Sequence, residues 1–270
     1  MQRLPKRCCT VMVVGPLSLH LMPLKPPTPE NQAVLDAAKI WFEDKIIENH
    51  IKNTLKLADI NEFNINPLTV WYLAKFVDGD VTARSIAKAL ILPRVLGVSI
   101  ATSLGQHLQR FITDTLVTAY GSAASGMDID FTDRLDGLKK YAQLKLGPNT
   151  INKDDIKTIN DKFNSVQNLL KANGESLSKS HFAVGIMFGE EHEVNNWYRQ
   201  LRDDHGWELY VGKQFWWRLT GDEHFLDRLV DVIRKSTENS AASTAIETAI
   251  EKLSKDPYIQ KLANRFTENI

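Results

Sequence analysis

Residues 126–148 read GMDIDFTDRLDGLKKYAQLKLGP, and apolar and polar side chains alternate on either side of an Asp-Gly pair. The alternation covers residues 127–132 and then residues 140–146. A period of two is typical of a β-strand with one buried face, and Asp-Gly between two such runs indicates a β-hairpin. We therefore predict two antiparallel strands joined by a two-residue turn at Asp136 and Gly137.

The predicted hairpin brings two acidic side chains, one amide and one lysine onto one face of the strands. The two-residue turn pairs Asp130 with Gln143 and Asp128 with Lys145, with Cβ atoms roughly 4.5–5.5 Å apart across each pair. The alternation directs all four side chains away from the apolar face. The four residues therefore form a candidate catalytic group.

The chemistry of this group suits hydrolysis of a phosphodiester bond. Mg²⁺ is bound by one or two carboxylates together with water and phosphate oxygens, so Asp128 or Asp130 is a candidate ligand, and Gln143 offers a weaker, neutral oxygen. Lys145 is a candidate to orient or help deprotonate the metal-bound water and to contact the phosphate. The alternative is a surface salt bridge across a hairpin with no catalytic role. Spacing alone leaves both interpretations open.

Helical and short apolar segments make up the rest of the chain. Helical periodicity covers residues 31–57, 68–76, 81–92, 104–119, 152–172, 215–219, 225–236 and 241–253. We expect Pro93 to end the third of these helices, and residues 121–126 to form a small-residue loop. The apolar runs at 181–188 and 207–211 predict two further strands. The predicted fold is α/β (α+β), with a small mixed sheet between helices.

Length and charge favour one soluble domain. The chain has 270 residues, with 33 basic and 33 acidic side chains, so its formal net charge is zero. This length can bury a large core without a disulfide or a metal. We expect one domain over residues 31–270, with a helical part at 31–120, a core at 121–222 and C-terminal helices at 223–270. The balanced charge argues mildly against a non-specific DNA-coating protein.

The first 30 residues differ from the rest of the chain. A basic start is followed by an apolar stretch and then by prolines. We expect residues 1–30 to be a disordered leader, or an extension from a start codon assigned too far upstream; a secretory signal is the alternative. The chain's two cysteines, Cys8 and Cys9, offer no disulfide framework or zinc spacing, which suits a reducing cytoplasm.

Short motifs along the chain resemble type II restriction endonucleases of the TdeIII kind and relatives that cut GG-N-CC-type sites. The resemblance is carried, in the family's order, by residues 65–67 (INP), 91–97 (ILPRVLG), 126–131 (GMDIDF), 136–137 (DG), 141–145 (YAQLK), 147–152 (GPNTIN) and 211–217 (VGKQFWW). It implies a PD-(D/E)xK fold, Mg²⁺ dependence, a homodimer and cleavage of a short palindromic site in double-stranded DNA, here a GGNCC-like one. A cognate DNA methyltransferase would be the genetic partner of such an enzyme.

The resemblance also assigns roles by position. Asp128 or Asp130 stands at the motif aspartate and Lys145 at the motif lysine. Gln143 departs from the pattern, because a glutamate or aspartate is usual there. Two other functions stay open: a repair or recombination nuclease, and a non-catalytic DNA-binding protein in which Gln143 marks a decayed site.

Four further residues are candidate DNA contacts. Asn149, Thr150 and Asn152 follow the second strand of the hairpin, and Arg94 follows Pro93. Polar residues after a strand are also common turn formers, and an arginine can equally brace the fold, so a structural role is the alternative at each position. The histidines show no zinc-ligand spacing, and the loop at 121–126 lacks the Gly-Lys-Ser/Thr ending of a phosphate-binding loop.

Overall fold

A computed structural model describes residues 25–122, 124–238 and 242–268, which are organised around one five-stranded sheet. The strands, in their order across the sheet, are β1 (Gly121–Ser122), β2 (Ile129–Thr132), β3 (Lys139–Lys145), β4 (Phe182–Ile186) and β5 (Glu208–Val211). Strand β2 pairs antiparallel with β1 on one side and with β3 on the other, and β3, β4 and β5 pair parallel to one another. The predicted mixed sheet with an antiparallel hairpin is confirmed.

Helices flank this sheet, as predicted. Those in the described ranges are α1 (Pro29–Trp41), α2 (Glu48–Lys56), α3 (Pro67–Asp78), α4 (Ala83–Pro93), α5 (Ile100–Phe111), α6 (Val117–Tyr120), α7 (Lys153–Ala172), α8 (Asn196–Asp203), α9 (Lys213–Thr220), α10 (Phe225–Glu238), α11 (Ala242–Ser254) and α12 (Pro257–Glu268). The sequence did not predict α8 or α12. It also did not predict β1, which occupies the start of the expected loop.

Both faces of the sheet are buried. On one face, Ile129 and Leu144 belong to a core shared with α1, α9 and α10. On the other face, Tyr141 and Val184 pack in a core with α7 and α8, where Phe163 of α7 is fully buried. Because β4 is covered on both faces, it is apolar along its whole length rather than alternating.

A third core lies among helices alone. It is built from buried residues of α3 and α4 together with buried residues of α11 and α12, near the other end of the chain. Trp71 of α3 joins the two sets, because its indole N–H donates to the Leu262 carbonyl at 3.1 Å. Helices that lie before and after the whole sheet in the sequence therefore share one helical unit.

The expectation that Pro93 ends a helix is wrong. The chain stays helical from Ala83 to Tyr120, because π-helical turns at Arg94–Ser99 and Ile112–Leu116 join α4, α5 and α6. Proline removes one i→i−4 hydrogen bond but does not force the chain to leave the helix. The wider turn that starts directly after Pro93 accommodates it.

At the N-terminus, the first helix begins at Pro29. The Thr28 hydroxyl accepts a hydrogen bond from the Asn31 N–H at 3.2 Å and caps the helix, while proline suits the first helical position. The last residues of the segment expected to be a leader, 25–30, are therefore part of the described structure. Residues 1–24, with both cysteines, lie outside the described residues.

Candidate active site

The hairpin pairs in a different register from the predicted one. Asp130 lies opposite Tyr141 and Ile129 lies opposite Ala142, so the predicted pairing of Asp130 with Gln143 is wrong by two residues. The connection is a six-residue loop, 133–138, rather than a two-residue turn. A shift of two leaves every side chain on its predicted face, because strand side chains alternate with a period of two.

A buried charge cluster explains the longer loop. Asp133 is buried and pairs with Arg218 of α9 at 2.6 Å. Lys140, also buried, pairs with Asp136 at 2.7 Å, and Arg218 reaches Asp136 at 3.2 Å. Burial lowers the pKa of Lys140, but its pairing with Asp136 and Tyr210 outweighs this and leaves the pKa raised. The loop is thus organised by an arginine more than 80 residues away, which local turn chemistry cannot reveal.

Asp128 lies immediately before β2, beside Gln143 of β3. Its backbone N–H donates to the Ala142 carbonyl at 3.0 Å, and its Oδ2 accepts from the Leu144 N–H at 2.7 Å. These two contacts flank Gln143 on the neighbouring strand. The half-buried carboxylate makes no other hydrogen bond to the described residues, which leaves Oδ1 available to a ligand.

The surroundings of Asp130 differ from those of Asp128. It is 3% exposed, and its carboxylate accepts from the Ser122 hydroxyl at 2.6 Å, from the Ala124 N–H at 2.9 Å and from the Lys139 ammonium at 2.9 Å. Burial raises the pKa of Asp130, but these three partners outweigh it, and the net pKa is lowered. Both oxygens are therefore occupied in fastening β1 to the hairpin.

Gln143 is held at both ends of its amide. Its Nε2 donates to the Gly126 carbonyl at 2.9 Å, and its Oε1 accepts from the Lys162 ammonium of α7 at 3.0 Å. The side chain is 4% exposed. Lys162 was not among the candidate residues, because no spacing in the sequence relates a position in the middle of a helix to one in a strand.

Lys145 occupies the last position of β3 and is half-buried. It follows Gln143 by two residues and so shares its face, about 6.6 Å further along the strand. Among the described residues, its ammonium has no hydrogen-bond or ion-pair partner. The geometry places Lys145 on the predicted face, but no carboxylate of the described ranges lies within salt-bridge distance of it.

These residues gather at one edge of the sheet. The start of β2 meets the end of β3 because the two strands are antiparallel, and the ends of β4 and β5 share this edge because they run parallel to β3. Loops beyond the carboxyl ends of parallel strands are a common place for ligands. Asp128, Gln143 and Lys145 therefore lie at the end of the sheet where ligands commonly bind, with Asp128 and Lys145 half-buried and Gln143 buried.

The four candidate DNA contacts have different surroundings. Asn149 is exposed, and Thr150 contacts the Tyr198 hydroxyl at 2.9 Å. The Asn152 amide oxygen caps α7 by accepting from the Asp154 N–H at 2.8 Å. Arg94 donates to the Glu62 carbonyl at 2.7 Å, so it braces the helical part of the chain. Asn152 and Arg94 thus have structural partners, whereas Asn149 has none among the described residues.

The donor set at the edge fits Mg²⁺ in its chemistry. Asp128 and Gln143 offer hard oxygen atoms, the ligands that Mg²⁺ prefers. The described residues contain no group of three or more histidine, cysteine, aspartate or glutamate side chains suited to a metal. A metal here would therefore be held by few protein atoms and would complete its shell with water and phosphate oxygens.

Comparison with known proteins gives the family. The sequence model of type II restriction endonuclease EcoO109I matches residues 42–240, about three quarters of the chain. This chain belongs to the EcoO109I family of type II restriction endonucleases. The matched segment contains the whole sheet, together with Asp128, Gln143, Lys145 and Lys162. A search of curated proteins finds no significant match.

Membership of the EcoO109I family agrees with the broad predictions from the sequence, which concern the class of function and the fold. It supports a site-specific nuclease that acts on DNA and the restriction endonuclease-like fold. Of the helices in the described ranges, none combines the length and the apolar character needed to cross a bilayer.

Proposed function

We propose that this protein is a Mg²⁺-dependent type II endonuclease that hydrolyses both strands of a short palindromic site in double-stranded DNA. The observation that carries the proposal is the placement of Asp128, just before β2, beside Gln143 and Lys145 at the end of β3 in an EcoO109I-family chain. We further propose a GGNCC-like site, action in the cytoplasm and a cognate DNA methyltransferase as genetic partner. These follow from the sequence resemblance.

In this proposal the two neighbouring aspartates have different roles. Asp128 holds the metal through its unpartnered oxygen, while the Leu144 N–H fixes the carboxylate. Asp130 keeps β1 in place and supports the site from behind. Asp128 is the residue that would hold Mg²⁺, which when bound would supply a coordinated water of lowered pKa and offset charge on the phosphate.

Lys145 would act on the phosphate and the attacking water. Its ammonium has no partner among the described residues, so it can bind a phosphate oxygen and orient the attacking water without first breaking an ion pair. A positive charge at this position stabilises the negative charge that develops on the phosphate.

A homodimer is part of the proposal, because a twofold-symmetric DNA site is matched most simply by two identical subunits. Helix α3 offers a suitable surface: Leu68, Tyr72 and Phe76, one helical turn apart, are 75%, 66% and 76% exposed. The two aromatic rings alone could bury roughly 200–350 Å² per subunit. A typical stable interface buries roughly 800 Å² per partner, so this stripe suits the apolar centre of such a contact.

The test is incubation of the purified protein with unmethylated phage DNA and Mg²⁺, beside a Lys145→Ala variant. Discrete fragments with the wild type and intact DNA with the variant are the expected result. Intact DNA with both proteins, at concentrations at which they bind DNA, would contradict the proposal and favour a non-catalytic DNA-binding protein. Cleavage restricted to branched substrates would favour a repair nuclease.

A further inference from the structure

Lys162 stands beside the active-site residues without a negative partner. It lies in the middle of α7, and its ammonium donates to Gln143 Oε1 at 3.0 Å. Among the described residues no carboxylate forms an ion pair with it. The other end of the same amide is tied to the Gly126 carbonyl at 2.9 Å, so Gln143 cannot swing away from the lysine without losing that bond.

The charges at this edge favour an anion near Lys162. Asp130 is neutralised by Lys139, so Asp128 is the one carboxylate of the candidate group without a cationic partner. Two ammonium groups near this end of the sheet, those of Lys145 and Lys162, have no carboxylate partner among the described residues. A metal at Gln143 Oε1 would sit next to the Lys162 charge and be repelled by it. Asp128 is therefore the better metal ligand, and Lys162 is free to bind an anion.

We propose that Lys162 is a second DNA-binding cation of the active site, held by Gln143 so that its ammonium contacts a backbone phosphate of double-stranded DNA. The inference rests on the proposed nuclease function. In this inference Gln143 positions the Lys162 ammonium, whereas a carboxylate at the same position would bind a metal. The charge of the lysine neutralises part of the negative charge of the bound phosphate.

The experiment measures how DNA affinity depends on salt concentration. The proteins are the wild type, Lys162→Met, Lys162→Arg and, as a matched control, Lys171→Met at the end of α7. The probe is a short duplex with a GGNCC sequence, in buffer containing Ca²⁺ in place of Mg²⁺. The logarithm of the DNA association constant falls linearly with the logarithm of the salt concentration. Each lost phosphate contact reduces the magnitude of this slope by about 0.9, or by about 1.8 for the two sites of a dimer.

We expect the reduced slope for Lys162→Met and wild-type slopes for Lys162→Arg and Lys171→Met. A wild-type slope for Lys162→Met would overturn the inference while leaving the nuclease proposal in place. A wild-type protein that neither binds nor cuts DNA would instead overturn the nuclease proposal itself.

A Gln143→Leu variant tests whether Gln143 positions Lys162 for DNA or only contributes to the stability of the fold. It keeps a side chain of similar size but removes both the acceptor for Lys162 and the donor to the Gly126 carbonyl, so we expect a smaller slope together with a lowered thermal midpoint. A lower midpoint with an unchanged slope would show that the contact is purely structural, and would overturn the inference.

Discussion

Asp130→Asn and Asp128→Asn, two substitutions that differ by two positions, are expected to have opposite effects. Asp130 is buried with three partners, whereas Asp128 has one side-chain hydrogen bond and an available oxygen. We therefore expect Asp130→Asn to lower the free energy of unfolding while the folded fraction still cuts DNA. Asp128→Asn should leave stability nearly unchanged and remove cleavage.

The size of the stability loss follows from the partners of Asp130. A hydrogen bond to a charged group contributes about 1.5–3 kcal/mol, and a half-exposed ion pair such as that with Lys139 about 0–1 kcal/mol. Asparagine keeps one acceptor oxygen and so retains one of the two bonds from Ser122 and Ala124. The expected loss is therefore about 2–4 kcal/mol. For Asp128→Asn the amide oxygen can still accept from Leu144, and we expect a loss below about 1 kcal/mol.

Thermal unfolding followed by circular dichroism, beside a DNA-cleavage assay well below the midpoint, measures both effects. At roughly 2–4 °C per kcal/mol, the midpoint of Asp130→Asn should fall by roughly 4–16 °C. An unchanged midpoint for Asp130→Asn would refute the structural role. Equal destabilisation by the two variants, or full cleavage by Asp128→Asn, would refute the division of roles.

The lowered pKa of Asp130 adds a pH dependence. A carboxyl group whose folded-state pKa is depressed stabilises the protein above its unfolded pKa of about 3.9, and this contribution is lost as the pH falls through the folded-state value. The difference in unfolding free energy between wild type and Asp130→Asn should therefore be complete near neutral pH and shrink below about pH 4.

Three further predictions concern the rest of the molecule. Gln143→Glu adds a carboxylate beside Asp128 and should raise the affinity for Ca²⁺ in calorimetry; an unchanged affinity would argue against a metal there. Asp133→Ala leaves Arg218 without its buried partner and should cost about 3–5 kcal/mol in urea denaturation, so a loss below about 1 kcal/mol would contradict the cluster. Tyr72→Glu should yield monomers in light scattering with an unchanged circular dichroism spectrum. A dimer that persists in this variant would exclude the α3 surface as the dimer interface.

The strands and most of the helices could be predicted from the sequence because their signals are local. The alternation at 127–132 and 140–146 identified β2 and β3, and the helical period at 152–172 identified α7. Asn152 caps that helix together with Asp155, so even its start could be located within one residue. In each case the residues that determine the element lie inside it.

The register and the surroundings of the site could not be predicted, because they depend on distant residues. The six-residue loop exists because Arg218 binds Asp133 and Asp136 from α9. Alternation predicts that Gln143 and Lys145 share one face of β3, but it could not show that Lys162 reaches Gln143 from α7. Contacts of this kind follow from how helices pack on the sheet, and nothing in the spacing of the residues records them.

The helical unit has a consequence for biosynthesis. Helices α3 and α4 are translated early, whereas α11 and α12, which complete the helical core with them, follow the whole sheet. A growing polypeptide that has emerged only as far as the end of α10 already contains the five described strands, but it lacks two of the helices that build this core. The helical core can therefore close only once α12 has been made, and a chain truncated after α10 would leave part of this core uncovered.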